Sequence, residues 1–477
     1  MSRRRTKPWR LLLIGGLLLP GLLLAQTPTR PNILLIYVDD LGYGDLASFG
    51  HPVLQTPHLD ALAASGLKLT NYYAPSALCS PSRAALLTGR HPYRTGIESW
   101  IPADSGIFLR AAEITLAEVL KSVGYQTALI GKWHLNSDLA STTEPQPNDQ
   151  GFDFFYGHNA FQIPTNRNPT NLFRNREALP AQIGYTAELY SKAALDWLQT
   201  SADDAPFFLM LSMAEPHTTF ENPPAYNALY ANFTRGEIVP IPSGLAQPPR
   251  HTLIARGPGE YYANITYMDA HIGRVLDWLA AHPQQMANTV VVFASDNGPV
   301  TSDWINWWEV NAYGDTGGLR GRKHFLYEGG IKVPAIIRYP GITIPGSESA
   351  ALITGTDLFT TLVSAAGATL PADRAIDGID VSAALSGDSL PTRPLLWALP
   401  GELEYAYREG PWKLMLDSAR VPRALFNLQQ DPLELFNELT REPEQREHLQ
   451  IGFETRLAAI RADALTPRGS GDQHRTD

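Results

Sequence analysis

The sequence predicts an α/β fold: a large, mostly parallel β-sheet sandwiched by helices, then a small antiparallel sheet and a C-terminal helix. Two unbroken apolar, β-rich runs, Asn32 to Val38 (NILLIYV) and Thr289 to Ser295 (TVVVFAS), have the pattern of central strands buried on both faces. Helical apolar spacing recurs between them at Leu59 to Ser65, Glu113 to Val123, Ala187 to Leu198 and Tyr262 to Ala281, and such alternation builds parallel sheets. Beyond Pro391 the texture changes to short strand-like pieces, Leu395 to Leu399, Tyr405 to Arg408 and Trp412 to Leu416. A polar helical stretch from Glu442 to Arg461 follows.

At the N-terminus, Arg3, Arg4, Arg5, Lys7 and Arg10 precede an apolar stretch from Leu11 to Leu24 and then Ala25, the layout of an export signal cleaved after Ala25. About 14 apolar residues broken by Pro20 are too few to span roughly 30 Å of hydrocarbon. The segment therefore predicts a periplasmic or secreted protein with no stable membrane span. Without residues 1–25 the chain keeps 33 of its 38 Lys and Arg against 48 Asp and Glu, so its net charge is about −15 rather than −10. An acidic chain of this kind is unsuited to nucleic acid, and an anionic substrate must be drawn by local cations or a metal. With 44% hydrophobic residues and one Cys among 477 residues, disorder and a disulfide scaffold are excluded. The expected organisation is a signal at 1–25, a catalytic domain at 31–391, a small domain at 392–466 and a frayed tail at 467–477. Pro164 to Pro180 and Asn222 to Pro249, rich in Pro and Asn, predict long surface loops.

In parallel sheets, ligands gather outside the carboxyl ends of the strands. Both long apolar runs end there on acidic pairs: Asp39-Asp40 after the first, Asp296-Asn297 after the second. Four side-chain oxygens delivered from two strand ends suit a hard divalent cation such as Ca²⁺ or Mg²⁺. A second centre lies at Cys79-Ser80-Pro81-Ser82-Arg83, where Pro81 fits the first turn of a helix running on through Ala84-Ala85-Leu86-Leu87. Cys79 at a helix N-terminus is open to two readings, a thiolate nucleophile or a buried apolar cysteine.

The run Cys79-Ser80-Pro81-Ser82-Arg83, continued by Ala84-Ala85-Leu86-Leu87-Thr88-Gly89-Arg90, resembles the signature of the type I sulfatases of the alkaline phosphatase-like superfamily. Val38-Asp39-Asp40-Leu41-Gly42, Gly131-Lys132-Trp133-His134, Glu215-Pro216-His217, Ser295-Asp296-Asn297-Gly298 and Gly321-Arg322-Lys323-His324 extend the resemblance, in order. It implies that Cys79 is oxidised to Cα-formylglycine by a formylglycine-generating enzyme. It implies one Ca²⁺ held by Asp39, Asp40, Asp296, Asn297 and the modified Cys79. Arg83 would hold the formylglycine, Lys132 and Lys323 would bind sulfate oxygens, His134 would contact a formylglycine hydroxyl, and His217 would protonate the leaving oxygen. A Ser that some members place after the Gly-Phe motif has no counterpart between Gly151 and Phe161. The implied activity is hydrolysis of a sulfate monoester on a sulfated small molecule or glycan.

That chemistry suits these residue types. Sulfate sulfur is poorly electrophilic, so its ester needs a strong nucleophile, neutralising cations and a proton for the departing alcohol. Trp304, Trp307 and Trp308, in the polar stretch from Ser302 to Asn311, are candidates to stack on sugar rings. His51, His58 and His158 are expected to be structural. Two rival functions remain at this level: a phosphate or phosphonate ester hydrolase of the same superfamily, and a non-catalytic binder of sulfated glycans.

Overall fold

A computed structural model of the chain describes residues 30–163, 165–200, 205–233, 258–300, 313–401 and 403–463. The expected export signal, the three tryptophans and the C-terminal tail lie outside the described residues.

Among the described residues the principal sheet has ten strands. Across it run Ser347–Ser349, Leu67–Leu69, Ala335–Arg338, Thr289–Ser295, Asn32–Val38, Phe207–Ser212, Gln126–Lys132, Phe154–His158, Phe173–Arg174 and Glu177–Ala178. The five from Thr289–Ser295 to Phe154–His158 are mutually parallel. The outer strands are mixed, Ala335–Arg338 and Phe173–Arg174 running antiparallel to their inner neighbours. The two runs that announced the sheet are adjacent, with Val38 opposite Ser295, so both acidic pairs leave the sheet at the same level.

Alternate residues of Asn32–Val38 face two separate cores. Ile33, Leu35 and Tyr37 pack with Leu86, Leu116, Leu120 and Leu362. Leu34, Ile36 and Val38 pack with Leu59, Tyr190, Ala194, Met268 and Ile272. A strand covered by helices on both sides cannot alternate apolar with polar, which is why it reads as an unbroken apolar run. Leu35 is fully buried, and its truncation to Ala would cost about 2–5 kcal/mol.

Local chemistry adjusts several expected elements. The helix anticipated from Glu113 begins at Leu116, because Thr115 caps it and Glu118 returns a bond to the Thr115 N–H. The expected loop from Pro164 to Pro180 contains the last two strands on one edge of the sheet, each two residues long and too short for period-two patterning to register. In the other expected loop, Pro224–Leu229 is a short helix; residues 234–257 lie outside the described residues.

The C-terminal sheet is an antiparallel meander, Leu395–Ala398, Tyr405–Glu409, Trp412–Leu416 and Pro422–Asn427. Helix Pro443–Arg461 covers one face through Leu449, Phe453, Leu457 and Ile460. The other face, with Trp397, Met415 and Phe426, packs on Tyr73, Leu78, Leu326 and Ile331 of the main body. Lys413 crosses this junction, fully buried, with its Nζ 2.9 Å from both Glu328 Oε1 and Glu434 Oε1. The Tyr73 hydroxyl donates to Glu328 Oε2 at 2.5 Å.

Candidate active site

Six segments meet at the carboxyl rim of the parallel strands. Helix Cys79–Thr88 starts after the extended Leu78 and stops at Gly89, whose φ of 68° ends the helix and whose N–H returns to Ala85 O. A Cβ on Gly89 would lie 2.5 Å from the Phe359 ring, so a side chain there meets both strain and a clash. Cys79 occupies the first turn, buried at 3% exposure. Burial raises its pKa, while Lys132 and Lys323 pull it down without reversing the shift. The unmodified thiol is thus a poor source of thiolate at neutral pH.

Arg83 follows one turn later and is buried. Its Nη2 and Nε donate to Asp296 Oδ2 at 2.7 and 3.1 Å, and its Nη1 donates to Ser212 Oγ at 2.6 Å and to Lys132 O at 3.2 Å. One guanidinium therefore joins the Cys79 helix to three strand ends. Close contact between strands supports this junction: Gly131, at φ 117°, would put a Cβ 1.8 Å from Ser212 O.

Asp39, Asp40 and Asp296 each present a carboxylate oxygen within 4.8 Å of the others. Lys132 Nζ lies 2.5 Å from Asp39 Oδ2, and Lys323 Nζ 2.6 Å from Asp40 Oδ1. Asn297 Nδ2 donates to Asp40 Oδ1 at 2.6 Å. Burial disfavours the Asp39 carboxylate, but Lys132, His217, Arg83 and Lys323 outweigh burial and hold its pKa well below the usual range. Asp296 moves the other way, to about 7, pushed by burial and then by the Asp39 charge against the pull of Arg83. Asp39 Oδ1 and Asn297 Oδ1 are buried and accept no hydrogen bond among the described residues, so this all-oxygen donor set fits a hard cation.

The two histidines differ. His134 is buried, its Nε2 is 3.1 Å from Ile101 O, and its Nδ1 has no hydrogen-bond partner among the described residues. Donation from Nε2–H to that carbonyl leaves Nδ1 as a free lone pair. Burial, then Lys132, pushes its pKa well below the ordinary value, which keeps it neutral. His217 is partly exposed; its Nδ1 is 2.9 Å from Thr218 O and its Nε2 3.6 Å from Asp40 Oδ2. Its pKa is lowered by burial, against the pull of Asp40 and Asp39. Asp40, His134 and His324 all hold positive φ (67°, 55° and 74°), a costly conformation for non-glycine residues that concentrates at functional sites.

The loop carrying Lys323 is tied at two points, Lys323 N–H to Pro299 O at 2.9 Å and His324 N–H to Ala77 O at 3.1 Å. Sequence reasoning missed Ser212 and Phe161, which no motif marks. His51 accepts the N–H groups of Val53 and Leu54 at Nδ1, and His158 pairs its Nδ1 with the Tyr190 hydroxyl at 2.6 Å.

The sulfatase family profile matches residues 31–368. Human steryl-sulfatase is 34% identical over 421 residues, covering 76% of this chain and 71% of its own length. Arylsulfatase A of Bos taurus is 34% identical over 463 residues (85% and 83%), and N-acetylgalactosamine-6-sulfatase of Canis lupus familiaris is 33% identical over 415 residues (82% and 72%). The solved structure of Ps i-CgsB in complex with k-i-k-neocarrahexaose superposes with a TM-score of 0.77 at 24% identity, covering 93% of this chain and 94% of that one. The profile spans most of the described fold and the relatives exceed 30% identity over most of both lengths, so the chain belongs to the sulfatase family and is a hydrolase of sulfuric esters.

Proposed function

We propose that this protein is an exported sulfatase that cleaves a sulfate monoester on a ring-borne alcohol, a sulfated carbohydrate above all, with Cys79 carried as formylglycine and one Ca²⁺ at the carboxylate cluster. The observation that carries the reading is the pairing of Lys132 and Lys323 with two different aspartates of one buried cluster beside Cys79. Two buried ammonium groups on opposite carboxylates can converge on one tetrahedral anion and neutralise its oxygens.

Asp39, Asp40, Asp296 and Asn297 would hold the cation, which when bound supplies Lewis-acid charge and lowers the pKa of a hydroxyl beside it. Formylglycine would supply, as its hydrate, the nucleophilic oxygen that an inert buried thiol cannot. Arg83 orients position 79 and favours the ionised form of Asp296 against burial and the Asp39 charge. His134 accepts a proton at Nδ1, the atom with no hydrogen-bond partner among the described residues. His217, neutral in the free site, gains a proton at Nε2 as the sulfate anion arrives and delivers it to the leaving oxygen. In this reading residues 1–25 are removed on export, 31–391 form the catalytic domain and 392–466 the small domain.

The relatives named for a steryl, an aryl and an N-acetylgalactosamine sulfate share a ring-bearing alcohol, which supports the substrate class. Turnover of 4-nitrophenyl sulfate and 4-nitrophenyl phosphate by the same preparation tests the reading: preference for the sulfate is expected, and preference for the phosphate would replace the reading with a phosphohydrolase.

A further inference from the structure

Phe161 is 46% exposed, in a site otherwise lined by charge. Its ring centroid lies 5.2 Å from that of His217 and 6.3 Å from that of His134, and Lys132 Nζ stands 5.7 Å from the same ring. One phenyl group thus borders the three side chains proposed to handle the sulfate and its leaving oxygen. The adjacent Ile163 is also solvent-facing, at 58% exposure.

The loop holding this ring is braced. Asn171 Nδ2 donates to Phe161 O at 2.6 Å, Asn171 Oδ1 accepts the Ile163 N–H at 2.9 Å, and Thr170 N–H donates to Ile163 O at 2.6 Å. A large apolar side chain left in water and held in place lacks the burial that would explain it as core.

We propose that Phe161 is a substrate-binding residue for the alcohol half of the ester, offering its face to the flat apolar face of a six-membered ring. The proposal rests on the assignment of Lys132, His134 and His217 to the sulfate end. The sulfate sits among the cations, and the carbon bearing the leaving oxygen must lie beside His217, where Phe161 supplies apolar surface. Ring stacking or C–H contact there removes water from both partners and fixes the approach of the alcohol oxygen to His217. A ring alcohol, aromatic or pyranose, gains from this contact, and an acyclic alcohol gains little.

The rival role is structural: Phe161 holds Lys132 by a cation–π contact and never touches substrate. Full-length Phe161→Ala and Phe161→Tyr proteins, compared with the parent on 4-nitrophenyl sulfate, separate the two. Galactose 6-sulfate, ethyl sulfate and inorganic sulfate serve as competitors. Phe161→Ala is expected to raise KM for 4-nitrophenyl sulfate about tenfold with a much smaller change in kcat, and Phe161→Tyr to restore it. Inorganic sulfate and ethyl sulfate should inhibit the Ala protein as they inhibit the parent. Parallel weakening of galactose 6-sulfate supports a sugar face as occupant, and loss confined to the aryl ester supports an aromatic ring. Equal weakening of inorganic sulfate, ethyl sulfate and the ring esters assigns Phe161 to the support of Lys132 and overturns the proposal. An unchanged KM in Phe161→Ala overturns it as well. A parent enzyme that inorganic sulfate does not inhibit overturns the sulfate-site assignment itself.

Discussion

Arg83 Nη2 lies 2.7 Å from Asp296 Oδ2, and both side chains are buried. The pair joins the helix that starts at Cys79 to the strand end proposed to hold the cation, so position 79 and the carboxylate cluster share one brace. Removing the guanidinium leaves Asp296 as a buried carboxylate without its main cation. Arg83→Met is therefore expected to destabilise the fold by about 3–5 kcal/mol. Arg83→Lys, which cannot reproduce the fork to Asp296 and Ser212, should keep most of the stability yet lose about 10²-fold in activity. Chemical denaturation and aryl sulfate turnover of both variants check this.

The second prediction concerns position 79. A thiol raised in pKa by burial has no evident use as a nucleophile, so protein purified from its native host should carry formylglycine there. Peptide mass spectrometry distinguishes the aldehyde or its hydrate from the thiol. Full activity in a wholly unmodified preparation would refute the assignment.

Chelation should abolish turnover, by at least about 10²-fold, and Ca²⁺ should restore it. Added Ca²⁺ should also raise the melting temperature of the apo protein, since an ion that binds only the folded state stabilises it. Asp296→Ala should show neither response. A melting temperature indifferent to Ca²⁺ in the parent would remove the cation from the site.

The two histidines separate by leaving group. A sugar alkoxide needs a proton and an activated phenolate hardly does, so His217→Ala should depress turnover of a sulfated sugar about 10²-fold more than that of 4-nitrophenyl sulfate. His134→Ala should slow both substrates alike and let the sulfated enzyme accumulate wherever its breakdown is limiting, because the proton transfer proposed for His134 follows departure of the alcohol. Pre-steady-state kinetics on both variants provide the measurement, and equal losses for His217→Ala would take it out of the acid role.

A pH effect on stability should arise far from the chemistry. Lys413 lies between two carboxylates; Glu328 stays low, and Glu434 rises from 4.5 to about 7, chiefly through burial. The folded state then holds a proton on Glu434 that the unfolded state releases near 4.5. This contribution to stability is complete below about 4.5 and is lost as pH rises through about 7. Glu434→Gln mimics the protonated form, so its melting temperature should fall less than the parent's between these limits. Identical profiles would place the proton elsewhere.

The sheet and the charged heart of the site were legible because their causes are local. Burial on both faces makes Asn32–Val38 apolar throughout, and the acidic pairs follow the runs that deliver them. Gln126–Lys132 and Phe207–Ser212 are equally central but were not singled out, although Lys132 ends one of them. Ser212 matters only because Arg83, distant in sequence, reaches it, and nothing around Phe161 reveals that the fold sets it against His217. The cluster of Lys413, Glu328 and Glu434 is invisible for the same reason: each looks like an ordinary surface charge until the small sheet docks.

That docking makes the small sheet a keystone. Glu328 lies five residues beyond Lys323, and a chain cut before residue 413 would take from its buried carboxylate the Lys413 ammonium, the cation that holds it most strongly. Met415 and Phe426, which share a core with Leu78, next to Cys79, and with Leu326, three residues after Lys323, would also be lost. Shortened versions of this protein would thus lose the footing of both Cys79 and Lys323, the residues proposed as nucleophile and sulfate ligand, although every residue of the rim would still be encoded.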